Sequence, residues 1–220
     1  MKDTRVATRY AAAIFASAQR DGILDAVTQD LAVIERYVTE VPYLRADPIR
    51  AADWRERLSG LRGRRIGLVW GAGSRIGDSE LVALEHRKSV PLAAFTSLAA
   101  VEECAFVSLQ LGPAAAQATS PPAGIALHDY TGHIKDFADT AALMENLDLV
   151  ISVCTSTAHL AGALGRPVWL LNRFDTDWRW FLDQDDSPWY PTMRIFRQAQ
   201  PGVWDSVVQA VANALRANTA

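Results

Sequence analysis

Cysteine is scarce in this sequence, which contains only Cys104 and Cys154 among its 220 residues. Two cysteines in apolar surroundings exclude both a disulfide framework and a cysteine-rich zinc site. Long apolar runs are missing too, and the N-terminal stretch lacks the apolar centre of a signal peptide. We therefore expect a protein of the reducing cytoplasm that neither spans a membrane nor is secreted.

An excess of basic charge is also absent, because 22 Lys and Arg face 25 Asp and Glu, for a net charge of −3 at pH 7. Such a chain cannot neutralise phosphates along a polymer, which argues against a nucleic-acid partner or an acidic membrane. A site for one small anion remains open. Half of the residues are hydrophobic and 21% are charged, as is typical of globular proteins with a substantial core.

The first forty residues have the pattern of a helical hairpin. Residues 4–20 place Val6, Tyr10, Ile14 and Ala18 on one stripe, and Gly22 ends this pattern. Apolar residues three and four apart over 23–38 predict a second helix. We assign residues 1–46 to this hairpin domain.

The pattern changes after Asp47 and Pro48, and residues 47–220 form the second predicted domain. A helix over 50–61 is followed by short apolar runs that alternate with amphipathic ones. This alternation is typical of an α/β fold, a doubly wound, Rossmann-like parallel sheet of about six strands. The predicted strands are 66–70, 106–110, 125–128, 149–153, 168–171 and 194–196, and the predicted helices 91–103, 114–117, 139–146, 156–164, 178–182 and 203–216.

The stretch 147–171, LDLVISVCTSTAHLAGALGRPVWLL, predicts a strand, a helix and a second strand. Thr155, Ser156 and Thr157 lie where the first strand meets the helix, and His159 lies within the helix. Free N–H groups and the positive end of the helix dipole make such a corner suitable for phosphate. The alternative is an ordinary helix start with a structural histidine.

A glycine-rich loop, GAGSRIG at 71–77, follows the first strand of the predicted sheet. With the usual strand order 3-2-1-4-5-6, this loop meets the Thr155 corner beyond the carboxyl ends of neighbouring strands. Gly71 and Gly73 would let backbone approach a diphosphate, and Arg75 would neutralise it, although a solvated surface charge is the alternative. A nicotinamide site is disfavoured, because the third glycine is one place late, no clear helix follows directly and no acidic residue ends the second strand.

From about residue 42 onward the sequence resembles the C-terminal half of bacterial tetratricopeptide-repeat glycosyltransferases, which are similar to heptosyltransferases and to O-linked N-acetylglucosamine transferases. The matching segments are PYLRADP, RIGLVW, RKSVPL, FVSLQ, DFADTAALMENLDLVISV, TSTAHLAGALGRPVWLLNRFDTDWRWF and DDSPWYPTMRIFRQ. The resemblance implies the donor-binding lobe of the GT-B fold and metal-independent transfer from a nucleoside-diphosphate sugar, with no cofactor.

The resemblance also implies roles for particular residues. Thr155, Ser156 and Thr157 would hold the donor diphosphate, with His159 beside them. Asp139 and Thr140 would face the ribose or the diphosphate, or belong to a plain helix start. Gln110 would contact the base or cap its strand. Trp178, Trp180 and Trp189 are expected to be core or lobe-interface aromatics.

Two departures from this resemblance qualify the expected function. Cys154 stands where these families usually have an acidic residue, and the acceptor-binding lobe is missing. In its place, DTRVATRYAAAIFASAQRDGILDAVTQDLAVIERYV resembles the start of the delta subunit of F-type ATP synthases. We expect a donor-binding domain that is weak or inactive alone. The alternative is an interaction module that docks on F-type ATP synthase, or self-associates, through its N-terminal helices.

Overall fold

A computed structural model of the chain describes residues 41–73, 79–182 and 184–217. The predicted hairpin helices at 4–20 and 23–38 therefore lie outside the described residues, as does Arg75. Residues 41–46 run along the sheet domain, since the backbone N–H groups of Tyr43 and Leu44 each donate to the Ala163 carbonyl oxygen at 3.1 Å. The boundary between residues 46 and 47 stays a prediction.

Six parallel strands form a single sheet in the order β3-β2-β1-β4-β5-β6, so the predicted fold class and strand order are confirmed. The strands are β1 (Arg64–Val69), β2 (Cys104–Ser108), β3 (Leu127–Asp129), β4 (Leu149–Val153), β5 (Val168–Asn172) and β6 (Met193–Arg197). β1 and β4 are neighbours, with Ile66 paired to Leu149 and Val69 to Ser152. From β1 the chain adds β2 and β3 on one side of the sheet and then β4, β5 and β6 on the other. The β1–β4 pair is therefore the switch point, where such sheets bind ligands.

Five α-helices accompany the sheet in the described part of the chain, and side-chain caps mark the start of two of them. They are α1 (Pro48–Arg57), α2 (Ser79–Lys88), α3 (Phe137–Met144), α4 (Ser156–Ala163) and α5 (Asp205–Ala217). The Asp47 carboxylate accepts from the N–H groups of Ile49 and Arg50 and so caps α1, with Pro48 at the first helical position. Asp136 caps α3 in the same way.

The structure corrects several predicted helices. α2 begins close after the glycine loop, so the expectation that no helix follows there is wrong. The predicted helices at 91–103, 114–117 and 178–182 are 3₁₀ segments, at Leu92–Ala100, Pro113–Thr119 and Trp178–Trp180. In the first two, the hydroxyls of Thr96 and Thr119 donate to carbonyl oxygens three residues back, which favours the tighter turn.

One continuous hydrophobic core extends from Ala51 on α1 to Leu215 on α5. All five residues of β4 and of β5 are buried, as expected for central strands covered on both faces. No helix among the described residues is long and apolar enough to cross a membrane. The candidate site lies at the carboxyl ends of β1, β2 and β4, in the loops that follow these strands.

Candidate functional site

A cavity of about 460 Å³ opens beyond the carboxyl ends of β1, β2 and β4. We call it the cleft. It brings together the glycine loop, the end of β2, the segment before α3 and the start of α4, as the strand order predicted. Its lining residues are Val69, Gly71, Gly73, Leu109, Gln110, Leu111, Gly112, Ile134, Lys135, Asp136, Phe137, Thr140, Thr155, Ser156 and Thr157.

The start of α4 forms one wall of the cleft, and all three predicted hydroxyl residues are there. Thr155 is the N-cap residue, but its side chain makes no capping hydrogen bond. Its Oγ1 instead lies 3.2 Å from the Ser152 hydroxyl. The first N–H groups of a helix have no acceptor within the helix, so this end, which Thr155 leaves uncapped, can bind an anion.

The two glycines of the described part of the loop have different roles. Gly71 is buried, and a Cβ there would lie 2.5 Å from the Ala114 Cβ, so close packing of the β1 loop on the Pro113–Thr119 segment requires glycine. Gly73 has no atom within 4 Å of the position that its Cβ would take. The open approach to backbone that we predicted for a diphosphate is therefore at Gly73.

Gln110 lines the cleft, but its amide is fully used within the protein. Its Oε1 accepts from the N–H groups of Trp70 and Gly71 at 3.0 and 2.7 Å. Its Nε2 donates to the carbonyl oxygens of Gly71 and Leu111 at 3.1 and 2.8 Å. Of the two roles predicted for Gln110, the structure shows the cap, which ties the ends of β1 and β2 together.

The segment before α3 brings residues that the sequence analysis missed. Thr140 lines the cleft as predicted, whereas Asp139 points away from it and binds Arg50. Lys135, Asp136 and Phe137 line the cleft instead. The DFADTAA motif pointed to this region, but a loop residue carries no periodic pattern that shows which way it faces.

His159 lies outside the cleft lining, one turn into α4. Its Nδ1 is 2.9 Å from the Tyr190 hydroxyl, and its ring stacks on Trp180 with centroids 5.1 Å apart. Burial, helped by the positive charge of Arg179, lowers the pKa of His159, which favours the neutral ring. In this structure His159 has the contacts of a structural histidine.

Cys154, Trp180 and Trp189 belong to or pack against the hydrophobic core. The Trp180 indole N–H donates to the Cys154 sulfur at 3.2 Å, and Trp180 is fully buried. The Trp189 indole N–H donates to the Arg179 carbonyl oxygen at 3.1 Å. Trp180 is thus a core residue, as expected. No group of three His, Cys, Asp or Glu side chains within the described ranges is arranged to hold a metal ion.

No known protein-family profile matches the sequence. The chain is 32% identical over 179 residues to the protein FlbA of Caulobacter vibrioides, a match that covers 79% of this chain and 29% of FlbA. The chain thus spans less than a third of that relative.

The fold is found among solved structures of other proteins, including two glycosyltransferases. The ADP-heptose lps heptosyltransferase II of E. coli superimposes with a TM-score of 0.54 at 17% identity, over 81% of this chain and 54% of that one. The glycosyl transferase family 9 protein of Veillonella parvula gives a TM-score of 0.50 at 16% identity, over 70% of this chain and 42% of that one. The chain therefore has the Rossmann-like fold found in these glycosyltransferases.

Proposed function

We propose that the cleft binds a nucleoside-diphosphate sugar and that the chain is the donor-binding domain of a glycosyltransferase. One observation carries the proposal: the start of α4, which Thr155 leaves uncapped, opens with its hydroxyl residues into a cavity at the switch point of the sheet. The fold shared with an ADP-heptose heptosyltransferase supports this choice of ligand over other anions.

In this proposal the diphosphate lies against the start of α4. Backbone N–H groups there, with the Ser156 and Thr157 hydroxyls, donate to phosphate oxygens, and Gly73 leaves room on the opposite side. Lys135 supplies a positive charge in the same cleft, in addition to the predicted Arg75. Fixed donors of this kind stabilise the charge that develops on a departing nucleoside diphosphate without the help of a metal.

The base would lie on the apolar part of the cleft. Leu111 and Phe137 line it and are 48% and 61% exposed, so both are accessible to a ligand in the cleft. An aromatic side chain can stack on any base, so this contact favours no particular nucleoside. Because the amide of Gln110 is occupied, we do not assign the base contact to it.

Transfer by this chain alone is expected to be weak or absent. Glycosyl transfer needs the acceptor held in line with the donor, and correct placement of the reactants supplies much of the rate. The chain covers 54% of the heptosyltransferase with which it shares its fold. The alternative function, docking on an F-type ATP synthase, depends on residues 1–46 and stays a prediction.

Calorimetry and thermal unfolding with ADP, UDP and GDP test the proposal directly, with adenosine as the uncharged control. A ligand that binds only the folded state must raise the melting temperature. At least one diphosphate is expected to bind and to stabilise the chain more than adenosine does. Absence of any effect at millimolar diphosphate would overturn the proposal.

A matched pair of variants locates the site. Ser156→Asp places a carboxylate at the first position of α4, where it suits the helix dipole and preserves folding but repels a diphosphate. Ser59→Asp adds the same charge before β1, at the opposite end of the sheet. We expect Ser156→Asp to weaken diphosphate binding at least about tenfold, and Ser59→Asp to leave it unchanged.

A further inference from the structure

Arg50, on α1, holds the segment that forms one wall of the cleft. Its Nη1 donates to Asp136 Oδ1 and Oδ2 at 2.9 and 3.1 Å and to Asp139 Oδ1 at 2.9 Å. Arg50 itself lies outside the cleft, in a second cavity of about 230 Å³. Lys135 lines both cavities, so the wall between them consists of the segment that Arg50 binds.

The two carboxylates that Arg50 joins also shape the backbone of this wall. Asp136 accepts from the Asp139 N–H at 2.8 Å and so caps α3, while Asp139 Oδ2 accepts from the Lys135 N–H at 3.0 Å. These bonds fix the backbone from Lys135 to Asp139, which includes the cleft residues Asp136 and Phe137. A single guanidinium thus fastens the start of α3 to α1, across 86 positions of sequence.

The ion pairs of Arg50 with Asp136 and Asp139 also affect the net charge beside the cleft. Asp136 lines the cleft, and the Asp139 N–H together with Arg50 lowers the pKa of Asp136, so this carboxylate is ionised at neutral pH. Asp139 adds a second negative charge one helical turn away. Arg50 offsets one of these two negative charges, so without it the two carboxylates would repel a bound diphosphate more strongly.

We propose that Arg50 is a positioning residue of the cleft, which holds the 135–137 wall in place and offsets one of the two negative charges of Asp136 and Asp139, so that a nucleoside diphosphate can bind. This inference rests on the proposed function. The Arg50 and Asp136 side chains are 41% and 51% exposed, so their ion pair contributes little to folding. Asp139 is only 14% exposed, but its Oδ2 also accepts from the Lys135 N–H, a bond that does not depend on Arg50. The role therefore predicts a large effect on binding with a small effect on stability.

The test uses the full chain and isothermal titration with ADP and with adenosine. Arg50→Met is expected to weaken ADP binding about tenfold, the size of one charge–charge interaction near a protein surface. Adenosine, which carries no phosphate, should lose less affinity, and the loss for ADP should shrink as salt rises. Arg50→Lys, which keeps the charge, should recover much of the ADP affinity.

Two further variants separate charge from shape. Arg57→Met is the matched control, because Arg57 lines the same second cavity and lies over the Trp54 ring. Adding Asp139→Asn to Arg50→Met removes one of the two carboxylate charges but keeps an oxygen for the Lys135 N–H. We expect Arg57→Met to bind ADP with unchanged affinity. The double variant should recover most of the ADP affinity that Arg50→Met loses.

The outcomes distinguish this inference from the proposed function. If the unmodified chain binds ADP and Arg50→Met binds it equally well, the proposed role of Arg50 is wrong, whereas the proposal that the cleft binds a nucleoside diphosphate is unaffected. An equal loss for ADP and adenosine, with no recovery in the double variant, would also overturn it, because Arg50 would then be merely structural. If the unmodified chain binds no nucleoside diphosphate, both proposals fail.

Discussion

At the scale of single residues, the cleft depends on side chains whose polar groups are already satisfied. Gln110 is 3% exposed and makes four hydrogen bonds with the ends of β1 and β2. A buried N–H group that loses its acceptor costs about 1–3 kcal/mol. Gln110 therefore contributes to stability first, and to ligand binding only through the backbone that it holds.

This role predicts that Gln110→Ala lowers the free energy of unfolding by at least about 2 kcal/mol, because the N–H groups of Trp70 and Gly71 both lose their acceptor. Chemical denaturation measures the change. Gln200→Ala, at an exposed position before α5, is the control and should change stability by less than about 0.5 kcal/mol. Equal effects of the two substitutions would contradict the capping role.

At the scale of elements, the sequence predicted what depends on local pattern. The central strands β4 and β5 are apolar except for Ser152 and Asn172, and their predicted ranges agree with the structure to within one residue. α2 was missed because SELVALEHRK holds only three large apolar residues, too few to mark a buried stripe. The ion pairs of Arg50 with Asp136 and Asp139 were missed because Arg50 lies far from both carboxylates in the sequence, where no spacing rule applies.

In helix α4, too, the sequence pattern predicted the local structure but not the tertiary contacts. Its start was predicted as a phosphate-binding corner, but the packing of His159 on Trp180 and Tyr190 depends on residues from a distant segment. Because burial lowers the pKa of His159, the folded state binds a proton less readily than the unfolded chain does. The unfolded value is about 6.5. The contribution of His159 to the free energy of unfolding is complete above that pH. It is lost as the pH falls from there toward the lower pKa of His159 in the folded state.

We therefore expect His159→Gln to flatten the pH dependence of stability. Between pH 8 and pH 5 the unmodified chain should lose more free energy of unfolding than the variant, which has no ring to protonate. His86→Gln, on an exposed part of α2, is the control and should follow the unmodified chain. Parallel curves for the unmodified chain and His159→Gln would show that burial of the ring carries no proton linkage.

At the scale of the whole molecule, one core connects α1 at one end of the described chain to α5 at the other. Alternation of strands and helices was enough to predict this sheet, since the rules for connecting parallel strands leave few arrangements open. The chain ends of the domain were harder to predict, because the segment 41–46 is too short for any period. Its attachment consists of the bonds from Tyr43 and Leu44 to Ala163 and the approach of Pro42 to Gly165.

From this attachment we predict that the stable sheet domain includes residues 41–46. A chain that starts at residue 41 is expected to unfold in one cooperative transition, with the ADP affinity of the full chain. A chain that starts at residue 47 loses both hydrogen bonds to the Ala163 carbonyl oxygen and should be less stable by about 1–3 kcal/mol. Urea denaturation followed by tryptophan fluorescence and circular dichroism measures both. Equal stability of the two shortened chains would place the start of the domain at residue 47, as the sequence alone suggested.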